Sequence, residues 1–237
     1  MTLSFRKMKG ILFDLDGVLI DAMPFHAEAV KMAIKEQTNY DIDKKIVYQL
    51  EGMPTNELVQ EIFKKSHINK KIDNELIETI SKRKKQIFKE IEKTPLIEGV
   101  DDLLNELNKC DCFKAIVTGS AKKEIEATVD KMIGLKNFDV IISGDDIDKG
   151  KPHSTPFVKA LQKMNLKPSE CIVVENAPLG VEAANKAGIK CIITLNNTPL
   201  DISSDFYNLI LKETKIFQDT KSTIDFLKKW CCNEIKK

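Results

Sequence analysis

The sequence predicts an α/β protein: a doubly wound parallel sheet with an all-helical insert after its first strand. Three observations carry this prediction. Residues 95 onward alternate short apolar runs with amphipathic stretches, the pattern of strands joined by helical crossovers. Residues 22–94 show helical periodicity alone. The apolar runs end in compact polar groups, namely Asp14-Leu15-Asp16-Gly17, Thr118-Gly119-Ser120 and Glu175-Asn176. Open parallel sheets bind ligands at such carboxyl ends.

The elements follow in order. Ile11-Leu12-Phe13 is a buried strand that ends in two aspartates, and Gly17 lets the chain turn. Pro24 to about Gln37 has helical spacing through Phe25, Ala29, Val30, Ala33 and Ile34. After Gly52-Met53-Pro54-Thr55, residues Asn56–Lys65 form a second helix. Asp73 is the expected N-cap of a third, running to about Lys93, with Leu76, Ile77, Ile80, Ile87 and Ile91 on one face. Its other face carries Lys82-Arg83-Lys84-Lys85, which by itself reads as a solvated surface. Thr94-Pro95 closes the helical block.

Strands are then expected at Phe113–Val117, Phe138–Ile142, Cys171–Val174 and Lys190–Leu195, with a weaker one at Asn208–Leu211. The intervening helices fall at Val100–Asn108, Ala121–Met132, Thr155–Met164 and the Ala-rich stretch that Gly188 stops. Thr155-Pro156 reads as an N-cap followed by an N1 proline, and a last helix covers Ser222 to Ile235. Apolar strands separated by helices mean a sheet covered on both faces, with crossovers of one hand. The expected division is a Rossmann-like core of residues 1–21 and 95–237, with a helical cap of residues 22–94.

Composition narrows the function classes. Charged residues make up 31% and the net charge is +1, so no global field points to nucleic acid or an anionic membrane. No apolar run reaches the length of a membrane span and no signal-peptide pattern is visible, so a cytoplasmic location is expected. The six cysteines lack C-x₂-C zinc spacing, and only three histidines accompany them; they are expected to be reduced thiols. Arg6 and Arg83 are the only arginines, against 35 lysines. A bound anion must therefore be held mostly by lysine, backbone N–H or metal rather than by arginine forks.

Asp14 and Asp16, two residues apart on an extended chain, leave the sheet on one side and repel each other unless a cation intervenes. Mg²⁺, a hard ion that prefers oxygen, suits such a pair. Alone, Asp-x-Asp-Gly also describes an ordinary surface turn, Thr118-Gly119-Ser120 a helix N-cap, Lys151 a loop lysine and Glu175-Asn176 a turn.

Four motifs in order decide among these readings. Phe13-Asp14-Leu15-Asp16-Gly17-Val18-Leu19, Ile116-Val117-Thr118-Gly119, Gly150-Lys151-Pro152 and Val173-Val174-Glu175-Asn176 together resemble the haloacid dehalogenase superfamily. The last continues into Gly180-Val181-Glu182-Ala183-Ala184, and the branch resembled is the one with a helical cap after the first strand. The resemblance implies that Asp14 is the nucleophile that forms an aspartyl-phosphate, and that Asp16 is the acid and base. It further implies that Thr118, Gly119 and, less directly, Ser120 bind phosphate oxygens, and that Lys151 neutralises the phosphoryl charge. Mg²⁺ would be held by Asp14, Asp16 through its carbonyl, and Glu175 or Asn176.

The match has departures. Asn176 stands where a second acid is usual, and His153-Ser154-Thr155 follow Lys151-Pro152 where Pro and Asp are commoner. The loop Leu50–Thr55 is similar to the specificity loop of the β-phosphoglucomutases, but Glu51 and Thr55 replace their lysine and arginine. Lys84 matches another cap lysine of those enzymes. His26, Gly52, Thr55, Arg83 and Lys84 are the candidate specificity residues; His26 reads equally well as a structural histidine. The expected function is a Mg²⁺-dependent phosphatase of a sugar phosphate, polyol phosphate or phosphoglycolate, acting as a monomer or weak homodimer. The competing readings are a phosphosugar mutase and a non-catalytic binding protein on the same fold.

Overall fold

A computed structural model describes residues 9–68, 72–196, 198–199 and 214–231. Its centre is a six-stranded parallel sheet, β1 (Gly10–Phe13), β2 (Phe113–Val117), β3 (Val140–Ile142), β4 (Cys171–Glu175), β5 (Lys190–Thr194) and β6 (Lys215–Phe217), in the order β3-β2-β1-β4-β5-β6. The chain runs outward from β1 in one direction and then in the other, so the topological switch falls at β1, where ligands collect in open α/β sheets. Phe13 is in register with Ile116 on one side and Val174 on the other. Asp14 therefore emerges level with Glu175, and its N–H still donates to the Val174 carbonyl at 3.0 Å.

Both sheet faces are covered, which explains why the strands are apolar throughout rather than alternating. Ile11, Phe13, Ile116, Ile172 and Val174 point to one layer, made by α5 (Val100–Leu107), α6 (Lys122–Met132) and α9 (Thr220–Cys231). Leu12, Ala115, Val117, Val173 and Ile193 point to the other, made by α7 (Thr155–Met164) and α8 (Pro178–Lys186).

The helical insert has a third core of its own. It joins α1 (Met23–Thr38), α2 (Lys44–Gln49), α3 (Thr55–Lys65) and α4 (Asn74–Ile91) around Val30, Ile34, Val59, Ile62, Ile80 and Ile87. Its two connections to the sheet pair with each other: Asp21 N–H donates to the Pro95 carbonyl at 2.9 Å, and Ile97 N–H to the Leu19 carbonyl at 3.1 Å. The entry and exit of the insert thus lie together beside the end of β1.

Some expectations change. Asp73 does cap α4, accepting from Leu76 N–H at 2.9 Å. Thr155, expected as an N-cap, is the first residue of α7; Ser154 precedes it without a side-chain capping bond, and Pro156 lies in the first turn, where its missing N–H costs nothing. Helix α2 and strand β6 leave no periodic signal in the sequence, because six and three residues are too short to show one. The weak strand at 208–211 and the end of the last helix lie outside the described residues. Cys110 is disulfide-bonded, against the expectation of reduced thiols throughout; Cys112, Cys171, Cys191 and Cys231 are not in disulfides. The reading from zinc spacing could not detect this bond, because a disulfide depends on proximity in the fold. Among the described residues no helix is long and apolar enough to cross a membrane.

Candidate active site

The polar strand ends meet under the insert in a cavity of about 510 Å³. Asp14, Asp16, Thr118, Lys151 and Glu175 form its floor, and His26, Leu50, Met53, Lys84 and Phe88 contribute from the helical side. On the floor, the Lys151 ammonium bridges two carboxylates, lying 2.5 Å from Asp14 Oδ1 and 2.5 Å from Glu175 Oε1. All three side chains are buried, Lys151 at 5% and Glu175 at 1% exposure. Burial opposes the charge on Lys151, but Asp14 and Glu175 outweigh it and hold the lysine above its usual pKa. Burial, with Asp14 adding to it, raises Glu175 despite Lys151. One ammonium cannot fully compensate two buried acids, so the ion pair with lysine leaves Glu175 proton-hungry.

Glu175 is further fixed by the backbone, its Oε2 accepting from Asn176 N–H at 3.0 Å and Ala177 N–H at 3.2 Å. A Cβ at Gly180 would overlap the Glu175 carboxylate, so only glycine fits opposite it. Gly144 has a similar role, since a Cβ there would overlap the Gly119 carbonyl and push apart the loops after β2 and β3.

Asp16 sits in a different environment. Burial and the neighbouring Asp14 raise its pKa to about 7, against opposing effects of the Ser120 hydroxyl, Lys84 and Lys151. Ser120 Oγ donates to Asp16 Oδ2 at 3.2 Å, so this hydroxyl orients an acid as well as bordering the cavity. Thr118 Oγ1 accepts from Ser120 N–H at 3.1 Å, which shapes the turn after β2. Near neutral pH, Asp16 can therefore hold or release a proton while Asp14 lies against an ammonium. Such unlike environments allow two carboxylates to divide nucleophilic and proton-transfer roles.

The sign of the Asp16 shift sets a stability prediction. A carboxyl whose pKa is raised from 3.8 to about 7 on folding stabilises the fold fully below pH 3.8, and this contribution is lost as pH rises through 7. In the metal-free protein this contribution of Asp16 is expected to fade between pH 4 and pH 7.5. Asp16→Asn is expected to be about 1–3 kcal/mol more stable than wild type at pH 7.5 and nearly equal to it at pH 4, a range reduced because the carboxylate borders a wet cavity. Urea denaturation in chelator at the two pH values checks this; parallel pH profiles for both proteins would refute it.

From the insert, Lys84 Nζ lies 3.0 Å from His26 Nδ1. An ammonium only donates, so Nδ1 accepts and the ring proton sits on Nε2. The His26 ring stacks on Phe88 at 4.0 Å, and burial together with Lys84 keeps its pKa well below 6.5. Gly52 and Thr55 also border the cavity. Arg83, a candidate specificity residue, is instead turned away: its Nε and Nη2 donate to Glu36 at 2.6 and 3.0 Å. Lys84, Lys85 and Lys89 border the cavity, whereas Arg83 does not. The Lys82–Lys85 face is therefore not uniformly solvated, for Lys84 is half-buried under the insert while Lys82 is exposed.

Asn176 is fully buried behind the floor, and its Nδ2 donates to both Glu51 oxygens at 3.1 and 3.0 Å. Asn176 Oδ1 is buried without a hydrogen-bond partner. Among the described residues no group of three His, Cys, Asp or Glu side chains has metal-site geometry. A Mg²⁺ site would therefore combine carboxylate with neutral oxygens, as this ion accepts readily. The orphaned amide oxygen, the Asp14 carboxylate and the Asp16 carbonyl would supply oxygen donors of the kind it prefers. Glu51 also borders the cavity, and a lone acid in a loop carries no local signal of where it points.

Fold and site together define a capped α/β enzyme architecture with its polar centre at the switch point of a parallel sheet. The chain belongs to the haloacid dehalogenase-like hydrolase family, whose profile matches residues 11–194. An uncharacterized protein of Haemophilus influenzae is 32% identical over 190 residues, covering 78% of this chain and 90% of that protein. A phosphorylated carbohydrates phosphatase of Thermotoga maritima is 28% identical over 185 residues, covering 78% and 84%. The solved structure of a putative β-phosphoglucomutase from Bacteroides vulgatus superposes with a TM-score of 0.77 at 27% identity, over 94% of this chain and 88% of that one.

Proposed function

We propose that this protein is a Mg²⁺-dependent phosphatase of small phosphorylated metabolites, of the sugar or polyol phosphate class. The observation that carries the reading is the unequal acid pair at the end of β1: Asp14 bound to the Lys151 ammonium at 2.5 Å, and Asp16 tuned to about 7 beside it. The phosphatase relative from Thermotoga maritima supports the substrate class.

In this reading Asp14 attacks the phosphorus and becomes an aspartyl-phosphate. Asp16, protonated near neutral pH, gives its proton to the leaving alkoxide and afterwards takes one from the water that attacks the phosphoenzyme. Ser120 holds the Asp16 carboxyl for both steps. The Thr118 hydroxyl and Gly119 N–H bind non-reacting phosphate oxygens, and Lys151 balances the charge that builds on the phosphoryl group. Asp14, the Asp16 carbonyl and Asn176 Oδ1 would hold Mg²⁺, with Glu175 close by. The ion would draw electron density from the phosphoryl oxygens. The cap, residues 22–94, covers the leaving group, and the core, residues 1–21 and 95–237, carries the chemistry. His26 and Lys84 are the specificity contacts best placed to meet a leaving-group hydroxyl or anion.

A panel of phosphorylated sugars, polyols and phosphoglycolate, assayed for phosphate release with Mg²⁺ and with chelator, tests the proposal. Metal-dependent release concentrated on sugar or polyol phosphates is expected. A folded protein that releases no phosphate from any member would overturn it and favour a binding role. Lys84 in the cavity keeps the mutase reading in contention, but Arg83 is committed to Glu36 and Glu51 occupies the place of a lysine. A coupled assay on β-glucose 1-phosphate separates the two: isomerisation faster than phosphate release would favour the mutase.

A further inference from the structure

The buried Asn176 amide is held in one orientation by two neighbours. On its nitrogen side, both oxygens of Glu51 accept from Nδ2, at 3.1 and 3.0 Å. On the same side, a Cβ at residue 17 would overlap Nδ2, so the amide packs directly against Gly17. Its oxygen is buried without a partner. Leaving a buried acceptor unpaired costs about 1–3 kcal/mol, and turning the amide over would give up both contacts of Nδ2 with Glu51, whose carboxyl is held well above the usual carboxylate range by burial and Asp14.

Glu51 is unusual in its origin. It comes from the loop between α2 and α3 in the helical insert, yet it is only 9% exposed and lies among Asp14, Asp16 and Glu175. Gly52, at φ +91°, lets this loop pass against the Lys151 side chain, where a Cβ would already lie 3.3 Å away. The position that lacks an acid, 176, is thus touched by an acid from the other part of the chain.

We propose that Glu51 is a positioning residue of the cation site: it holds Asn176 Nδ2 and thereby leaves Oδ1 as the face of the amide offered to the cation. The proposal rests on the metal-dependent reading of the site. It makes the metal centre a joint product of core and insert, complete only when the Leu50–Thr55 loop is seated.

The test is titration of the metal-free, substrate-free protein with Mn²⁺, followed by electron paramagnetic resonance, and with Mg²⁺ by calorimetry. Glu51→Gln is expected to weaken binding by about 10–100-fold, the usual effect of removing a group that orients a ligand. Asn176→Asp alone sets two carboxylates in contact and is also expected to weaken binding. Combining Glu51→Gln with Asn176→Asp restores an acid at 176 and an amide at 51, and affinity is expected to return to within about threefold of wild type. A merely structural role for Glu51 predicts that Glu51→Gln lowers the urea-denaturation midpoint and leaves metal affinity unchanged. Unchanged affinity in a folded Glu51→Gln protein, or no recovery in the double variant, overturns the inference alone. If wild type itself binds neither Mn²⁺ nor Mg²⁺ at millimolar concentration, the metal-dependent reading fails and the inference fails with it.

Discussion

Asp14→Asn is expected to retain less than about one-thousandth of wild-type turnover on an aryl phosphate, the scale of loss when a catalytic nucleophile is removed. An amide is too weak a nucleophile to form the acyl-phosphate. The substitution is nearly isosteric, and Lys151 keeps Glu175 as a partner at 2.5 Å, so the fold should survive. Acid-quenched intact-mass measurement gives an independent readout. Wild type mixed with substrate is expected to show a transient gain of one phosphoryl group, Asp14→Asn none, and Asp16→Asn a more persistent one. Turnover above about a tenth of wild type in Asp14→Asn would remove Asp14 from its assigned role.

Lys151→Met is expected to fail twice. Turnover falls by about 10²–10³-fold, because the preorganised charge opposite the phosphoryl group is gone. Stability falls as well, by about 3–5 kcal/mol at pH 8, because Asp14 and Glu175 are left buried without their shared ammonium. Protonation relieves that repulsion, so the stability loss is expected to shrink at pH 5. Saturating Mg²⁺ is expected to return part of it at pH 8 by binding the native state. Urea denaturation at the two pH values, with and without metal, checks all three expectations. A Lys151→Met protein as stable as wild type at pH 8 would mean that the buried triad is not the structural element inferred here.

The two experiments separate chemistry from structure in one cluster. Asp14→Asn removes one negative charge from a site that has an excess of acids, whereas Lys151→Met removes the ammonium that balances them. Opposite effects on metal-free stability, with loss of activity in both, are the signature expected of a buried site whose electrostatics serve catalysis.

Local sequence already placed much of this protein. The apolar runs ending in Asp14, Thr118 and Glu175 disclosed a parallel sheet and its polar edge, because strands covered on both faces are apolar and their exits here are polar. Helical spacing from Phe25 to Ile34 and the Asp73 cap disclosed the insert, since side-chain period and capping are set within a few residues. Four motifs in order disclosed the family. Tertiary structure alone decided which of two neighbouring cations, Arg83 or Lys84, faces the cavity, because that depends on how α4 is rotated against α1. It alone joined Cys110 into a disulfide and brought Glu51 to Asn176 across 125 residues of chain. Such pairings belong to the packing of distant segments on one another, where the partner of a charge or an amide is chosen by proximity in space and leaves no period, cap or turn in the sequence.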